Sequence, residues 1–454
     1  MLDIYVKDIV EATGGVLLCG SEDVKIQDVC IDSKLIQEGD LFVPIIGERV
    51  DAHKFIGAAL EKGACTLTSE HDEMDSDKPY IRVEDTVEAL QRIGKFARDK
   101  CHMPVIGVTG SVGKTTTREM ISHALAACTE VYHTEGNLNS QVGVPITLFR
   151  MNPEAKASVI EMGISEPGQM DILSGLVRPD ICVVTVIGVA HIEYMKTQEN
   201  IRHEKLSIVN HMNPGGALFL NGDDKLLAEL RGDTCVKNTF YYGTGEWCDY
   251  RAENIHMEDF QYVYDYVHGD RRVKVVLNAL GRHNVGNSLV GMAVADYMGM
   301  DVEKAAASFA EFKGLRQKVY RVPDKYTIID DTYNASPDSM KASIDVISDM
   351  ECTGRKLVVL GDMFELGENS EQYHTDIGNY LADKDIDELI VVGELSQFIM
   401  KAVQSSDSDI KCYSFKDNGE VALYLLSVMQ PEDVVLLKGS NGMHLNEIVA
   451  NILG

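Results

Sequence analysis

Val105-Ile-Gly-Val-Thr-Gly-Ser-Val-Gly-Lys-Thr-Thr-Thr117 sets an apolar strand against a glycine-rich turn that ends in a lysine and three hydroxyls and opens a helix. That order has a chemical meaning. Glycines let a backbone wrap closely around phosphate oxygens, a helix amino terminus presents N–H groups, Lys114 adds a point charge for the outer phosphates, and Thr115 can hold Mg²⁺. The spacing departs from the strict G-x4-G-K-[ST] form, because Val108 stands five positions before Gly113 and the first loop glycine is Gly110. Gly110, Ser111, Val112, Gly113, Lys114, Thr115 and Thr116 are therefore the candidate nucleotide-binding residues. Lys114 is also a candidate catalytic group.

Outward from this turn the same texture repeats. The runs PVIGVTG, KASVIEMG, DICVVTVIG and GALFLNGDD each precede a helical pattern, which is the signature of a mostly parallel sheet covered by helices. A break falls near Phe312 to Arg316, and YTIIDD, KLVVLGD, ELIVVG and DVVLLKG then renew the alternation. Ahead of Pro104 the texture differs, with short β-like runs (VKIQDVCID, DLFVPI, CTLTS), a helix predicted over His53 to Lys62, a polar stretch HDEMDSDKPY and a second helix over Val87 to Lys100. The expectation is an α/β protein of three domains. Residues 1–101 would form a small amino-terminal α/β substrate module, 102–314 a central P-loop domain with a mostly parallel sheet, and 315–454 a carboxy-terminal Rossmann-like domain. A length of 454 residues suits that count.

Composition narrows the function classes. Lys+Arg 42 against Asp+Glu 71 gives a net charge of −29, which argues against binding nucleic acid or an anionic lipid surface. The longest apolar run, Ile181 to Ala190, is about half of a bilayer span, so no membrane helix is expected. Asp3, Lys7 and Asp8 interrupt the start where a signal peptide needs apolar residues. Ten cysteines without a C-x-x-C pair read as reduced core residues, and a cytoplasmic location is expected.

Other candidates lie at strand ends, where open α/β sheets place ligand-binding side chains. Glu161 in VIEMG and His191 in VIGVAH fall at or just past the carboxyl end of a predicted strand; with Thr115 they make a Mg²⁺ shell if the strand order brings them together, although hard cations prefer oxygen to imidazole. In Gly281-Arg-His-Asn-Val-Gly-Asn287, Asn284 or Asn287 could read a base edge, and a helix cap among turn glycines reads equally well. Asp330-Asp-Thr-Tyr-Asn-Ala-Ser-Pro-Asp-Ser339 ends another strand in polar groups that suit a crevice edge or a plain turn.

Taken together, these residues resemble the ATP-dependent Mur ligases of bacterial peptidoglycan synthesis. The resemblance spans the chain: Asp32-Ser-Lys with GDLFVPIIGERVDAHKF, TGSVGKTT, Glu135-Gly-Asn-Leu-Asn139, VIEMG, GVAHIE, GRHNVGN, DDTYNASPDS, LGDMFELG and LLKGS. The motifs DDTYNASP and LGDMFELG point to the branch that adds a dipeptide. The resemblance implies an ATP-dependent ligase that joins D-alanyl-D-alanine to UDP-N-acetylmuramoyl-tripeptide through an acyl phosphate, acting as a monomer in cell wall synthesis. It implies that Thr115 and Glu161 bind one Mg²⁺ and that His191 and Lys205 serve a second. Lys205, on a helix expected over Glu199 to Met212, would carry a carbamate; the plain alternative is a surface lysine paired with Glu199 or Glu204. Asn284 and Asn287 would contact adenine, and Arg316 and Asp331 the rest of ATP. Asp32, Ser33, Asn137 and Asn139 would face the UDP-sugar, with Tyr333 and Asn334 also binding substrate.

Four positions depart from the family pattern: Lys34, Gln169, Ser207 and Asn441. They leave two alternatives open, a ligase of the same superfamily that takes a different amine and a P-loop binding protein that has lost ligation.

Overall fold

A computed structural model describes residues 2–47, 50–73, 76–233, 236–258, 261–313 and 318–454. Its centre is a nine-stranded sheet. Beginning at one edge, the strands Val131–His133, Ala157–Glu161, Val105–Thr109, Ile181–Val184, Ala217–Asn221, Asn238–Gly243 and Tyr250–Glu258 run parallel, and Gln261–His268 and Arg271–Leu277 continue it antiparallel. The four inner parallel strands, Ala157–Glu161, Val105–Thr109, Ile181–Val184 and Ala217–Asn221, are the predominantly apolar ones, as burial under helices on both faces requires. The antiparallel extension is the part that sequence texture did not disclose. In it Tyr262, Tyr264 and Tyr266 alternate along one strand and bury their rings in the same core as helix His283–Tyr297.

The carboxy-terminal sheet has six strands, ordered Lys318–Arg321, Thr327–Asp331, Val434–Lys438, Lys356–Gly361, Glu388–Val392 and Lys411–Phe415. All are parallel except the first pair. Helices Pro337–Asp349, Ser370–Ala382, Ser396–Gln404 and Asn446–Leu453 follow the four runs read from sequence. The expected boundary at 314/315 and Arg316 lie outside the described residues.

At the amino end a five-stranded sheet is ordered Val16–Cys19, Tyr80–Arg82, Cys65–Thr68, Leu41–Phe42 and Val29–Cys30. It packs on helix Thr86–Asp99, which Asp85 caps by accepting from Val87 and Glu88 N–H. The helix expected at His53 to Lys62 divides into a 3₁₀ turn, Ala52–Phe55, and a short helix, Ile56–Leu60. Helix Val6–Thr13, unread in the sequence, buries Val6 and Ile9 and stops at Gly14 in the left-handed region (φ 68).

This sheet does not close its own core. Ile146 and Phe149, on helix Gly143–Phe149, belong to the amino-terminal hydrophobic cluster. A Cβ on Gly94 would meet the Pro145 backbone at 2.6 Å, so the two helices touch at a glycine. Arg150 adds a two-pronged ion pair, its Nε donating to Asp28 Oδ1 at 2.9 Å and its Nη2 lying 2.7 Å from Oδ2. The first and second sheets thus share apolar surface and a charge-assisted clamp.

Candidate active site

Val105–Thr109 lies between Ala157–Glu161 and Ile181–Val184 and runs parallel to both. The turn after it is consequently flanked by the carboxyl ends of two neighbours, one supplying Glu161 and the other leading to His191. Gly110 adopts φ 151, and a Cβ there would fall 1.8 Å from Thr185 Oγ1. Only glycine fits that approach. The turn is then pinned to the neighbouring strand end: Ser111 N–H donates to Val186 O at 2.8 Å and Thr185 Oγ1 to Val112 O at 2.6 Å. Gly113, at φ 85, opens helix Lys114–Ala126, whose first N–H groups face the turn. Lys114 Nζ lies across the turn and donates to Gly110 O at 2.8 Å and Ser111 O at 3.3 Å.

Glu161 has no exposed surface. Its Oε1 accepts from Thr115 Oγ1 at 3.1 Å and Asn139 Nδ2 at 2.7 Å, while Oε2 lies 3.7 Å from Arg118 Nη1 and has no hydrogen bond among the described residues. Arg118, also fully buried, donates to Thr134 O and Gly136 O and pairs with Glu119. The sequence reading passed over Arg118. Its one signal was the spacing of four from Lys114, which puts both on the same helix face.

His191 stands at φ 63 before the short helix Ile192–Met195, with Nδ1 2.9 Å from Glu365 Oε2, close but poorly aligned for a hydrogen bond. Lys205 is 1% exposed, and among the described residues its Nζ has no hydrogen bond or ion pair. The surface-lysine alternative is therefore incorrect. Glu204 turns the other way and accepts the Gly168 and Met170 N–H groups, both at 2.9 Å, at the start of helix Gln169–Val177. Burial, reinforced by the charge of Lys114 and opposed by Glu204, holds the Lys205 ammonium well below the ordinary lysine range. The helix that carries it spans Gln198–Leu206 and gives way to a 3₁₀ turn, Ser207–Val209, shorter than expected.

Asn284 and Asn287 reach the same region, with their amides engaged by the protein. Thr117 Oγ1 donates to Asn287 Oδ1 at 3.0 Å, Asn287 Nδ2 to Asn284 Oδ1 at 2.9 Å, and Asn284 Nδ2 to Leu280 O at 2.6 Å. They brace the P-loop helix. Across from them, Asp331 and Lys438 are register partners on adjacent parallel strands and form an ion pair of 2.8 Å. Ser343 Oγ donates to the same Asp331 oxygen, and Lys438 Nζ also donates to Asn334 O at 3.1 Å.

Between the central and carboxy-terminal sheets lies a cavity of 2180 Å³. Ser111 to Thr116, Asn137, Asn139, Glu161, His191, Asn284, Asn287, Asp331, Tyr333 and Asn334 all line it, as do Lys438, Asp338 and Glu365. The last three sit inside motifs quoted from the sequence, where nothing in residue type marked them above their neighbours. Asp32 and Ser33 do not line it. Asp32 Oδ1 accepts the Lys34 N–H at 2.9 Å within a tight turn of the first sheet. The resemblance has these two face the UDP-sugar together with Asn137 and Asn139; in the fold they lie outside this cavity.

Two places invite a cation. Asp51, His53 and Glu70 bring ligand atoms within 4.8 Å of one another, but His53 Nδ1 lies 2.7 Å from Asp51 and Nε2 accepts the Ser69 N–H at 3.1 Å, so both ring nitrogens already fasten that loop. At the P-loop the donor set is better. A buried carboxylate oxygen without a hydrogen bond, beside a threonine hydroxyl, is the oxygen chemistry that Mg²⁺ prefers. The cavity can hold a polyphosphate at the turn, a hard cation at Glu161 and a second reactant against Asp331 and Lys438.

Lys114→Ala is expected to weaken nucleotide binding by at least about tenfold, roughly 1.4 kcal/mol, with little change in the thermal unfolding midpoint, since the ammonium donates to carbonyls of its own turn. Calorimetric titration with ATP checks this; unchanged affinity would contradict the cradle.

Comparison with known proteins assigns the lineage. Residues 25–98 match the Mur ligase family, catalytic domain; 108–295 the Mur ligase middle domain; and 315–441 the Mur ligase, glutamate ligase domain. The UDP-N-acetylmuramoyl-tripeptide--D-alanyl-D-alanine ligase of Bacillus subtilis is 33% identical over 458 residues, covering 100% of this chain and 99% of that protein. The crystal structure of MurF from Acinetobacter baumannii superposes with a TM-score of 0.90 at 27% identity, over 100% of this chain and 99% of the other. MurF ligase from Thermotoga maritima, solved in complex with ADP, gives 0.81 at 28% identity, over 94% and 97%. With its phosphate cradle at the sheet centre and relatives matched end to end, this chain belongs to the Mur ligase family, among the MurF-type ligases.

Proposed function

We propose that the cavity between the central and carboxy-terminal sheets is where ATP meets the terminal carboxylate of a UDP-N-acetylmuramoyl tripeptide, and where D-alanyl-D-alanine then attacks. The chain is an ATP-dependent amide ligase of peptidoglycan synthesis, and its reaction follows from the chemistry of carboxylates. A carboxylate is a poor electrophile at pH 7. Transfer of the γ-phosphoryl group makes an acyl phosphate, and the dipeptide amine displaces phosphate to form the amide. Phosphoryl transfer asks the protein chiefly for positioning and charge neutralisation.

The observation that carries this reading is Glu161, a buried carboxylate at the end of the strand beside the P-loop, bonded to Thr115. In it Gly110 to Thr116 cradle the phosphates, and Lys114 leaves its turn carbonyls to neutralise the transferred group. Thr115 and Glu161 would hold one Mg²⁺, which supplies charge neutralisation when bound. Asn284 and Asn287 keep the cradle's helix in place while their outer edges face the base. Asp331 and Arg316 would contact the remainder of ATP, and Tyr333 and Asn334 the incoming substrate. Asn137 and Asn139, on the loop held by Arg118, would face the muramoyl end, with residues 1–101 as the UDP-sugar module, 102–314 as the ATP module and 315–454 as the module for the amine. Among the described residues no helix is long and apolar enough to cross a membrane, and a cytoplasmic site of action follows from the UDP-linked substrate.

Amine-dependent ADP release tests the activity. With ATP, Mg²⁺ and the UDP-tripeptide, release is expected to require D-alanyl-D-alanine; release driven by a different amine, or none with any amine, would replace this reading with one of the two alternatives.

Lys205 fits a carbamate. A protonated amine beside Lys114 and a cation would be repelled, whereas burial already favours the neutral amine that reacts with CO₂. The product is an anion that, with His191, would provide a second Mg²⁺ with oxygen and nitrogen donors. Carbon-13 bicarbonate is expected to give a carbamate resonance that Lys205→Arg lacks and that disappears after acidic incubation under CO₂ depletion. Full turnover of Lys205→Ala, or active protein without that resonance, would contradict it.

A further inference from the structure

The loop Gly188-Val-Ala-His191 carries His191 out of the central sheet, and two carboxylates from the other side of the cavity reach it. Asp338, in the first turn of helix Pro337–Asp349, lies against the backbone of this loop at Gly188. Its Oδ2 fills the space where a Cβ on Gly188 would stand, at 2.2 Å, so the backbone approach is closed to any larger residue. Three positions farther along the loop, His191 Nδ1 faces Glu365 Oε2 at 2.9 Å. His191 and Glu365 are both non-glycine residues in the left-handed region, at φ 63 and φ 62. Sparsely populated backbone on each side of one contact is found where surrounding structure imposes a geometry. Next to them Gly367 closes on Glu193, the residue that follows Ile192 in the same short helix.

We infer that Asp338 and Glu365 are positioning residues: together they clasp residues 188–191 and set the orientation of the His191 ring. The inference rests on the proposed ligase reading for its consequence and on geometry alone for its existence. A carboxylate 2.9 Å from Nδ1 limits the ring to one plane, and an outer partner of this kind is how a protein orients an imidazole. His191 opens toward the cavity, so the ring is presented there only while Glu365 stands behind it. The carboxy-terminal body thus contributes to the phosphate end of the site without touching phosphate. Docking of that body and completion of the site become one event. Glu365 belongs to LGDMFELG and Asp338 to DDTYNASPDS, the two motifs that point to the dipeptide-adding branch.

Glu365→Ala, Glu365→Gln and Asp338→Ala in the full chain test the clasp with two readouts. Hydrogen–deuterium exchange over 188–195, measured without nucleotide or metal, is expected to quicken about tenfold in both alanine variants and much less in Glu365→Gln, whose side chain keeps its size and a polar oxygen against the ring. Turnover is expected to fall about tenfold in the alanine variants with KM for ATP within twofold, and Glu365→Gln is expected to recover most of it. Wild-type exchange in both alanine variants would overturn the clasp, and so would faster exchange with undiminished turnover or lost turnover with unchanged exchange. If the wild-type chain proves not to ligate, the proposed function fails while the exchange measurement still decides the clasp.

Discussion

A carboxylate that has lost all contact with water organises the rest of this site. Removing an ion from solvent costs several kcal/mol unless charge and hydrogen bonds replace the hydration. At Glu161 the replacements come from two segments: Thr115 and the guanidinium of Arg118, both on the P-loop helix, and Asn139 on the loop after Val131–His133. Arg118 is itself stripped of solvent, and the same Nη1 that faces Glu161 donates to the Thr134 and Gly136 carbonyls. The same pair that makes Glu161 tolerable therefore fixes the loop bearing Asn137 and Asn139 relative to the phosphate cradle. One Oε2 is left with no hydrogen bond among the described residues, a cost that a bound cation would remove.

The second half of the cavity is assembled differently. Asp331 and Lys438 meet because their strands are adjacent and in register, a consequence of sheet topology rather than of sequence proximity. The clasp of Asp338 and Glu365 on the 188–191 loop ties this sheet to the P-loop side. Nucleotide cradle, buried carboxylate and opposing sheet thus form one enclosure from which water can be shut out during phosphoryl transfer, where oriented charges act most strongly.

Much of this was legible in the chain. Runs such as KLVVLGD and DVVLLKG announce buried parallel strands because burial on both faces leaves no polar position, and Gly110 with Gly113 and Lys114 announces an anion cradle. Glu161 and His191 were legible as strand-end groups, and the strand order that brings them to either side of the cradle was not. Arg118, Asp338 and Glu365 were opaque because their importance lies in what they touch across more than one element. Lys205 shows the limit most plainly: nothing in a polar helix such as Gln198–Leu206 says that its lysine is sealed from solvent, and only packing decides it. The antiparallel tyrosine-rich extension escaped because its alternation serves a shared core rather than a separate unit.

The account rests on phosphate passing from ATP to the peptide carboxylate inside this enclosure. Ligation with UDP-muramoyl tripeptide labelled with oxygen-18 in its terminal carboxylate tests that directly. The account predicts that labelled oxygen appears in the released inorganic phosphate in step with amide formation, because the acyl phosphate bridge oxygen originates in the carboxylate. Amide formation with unlabelled phosphate, or with release of AMP in place of ADP, would contradict it.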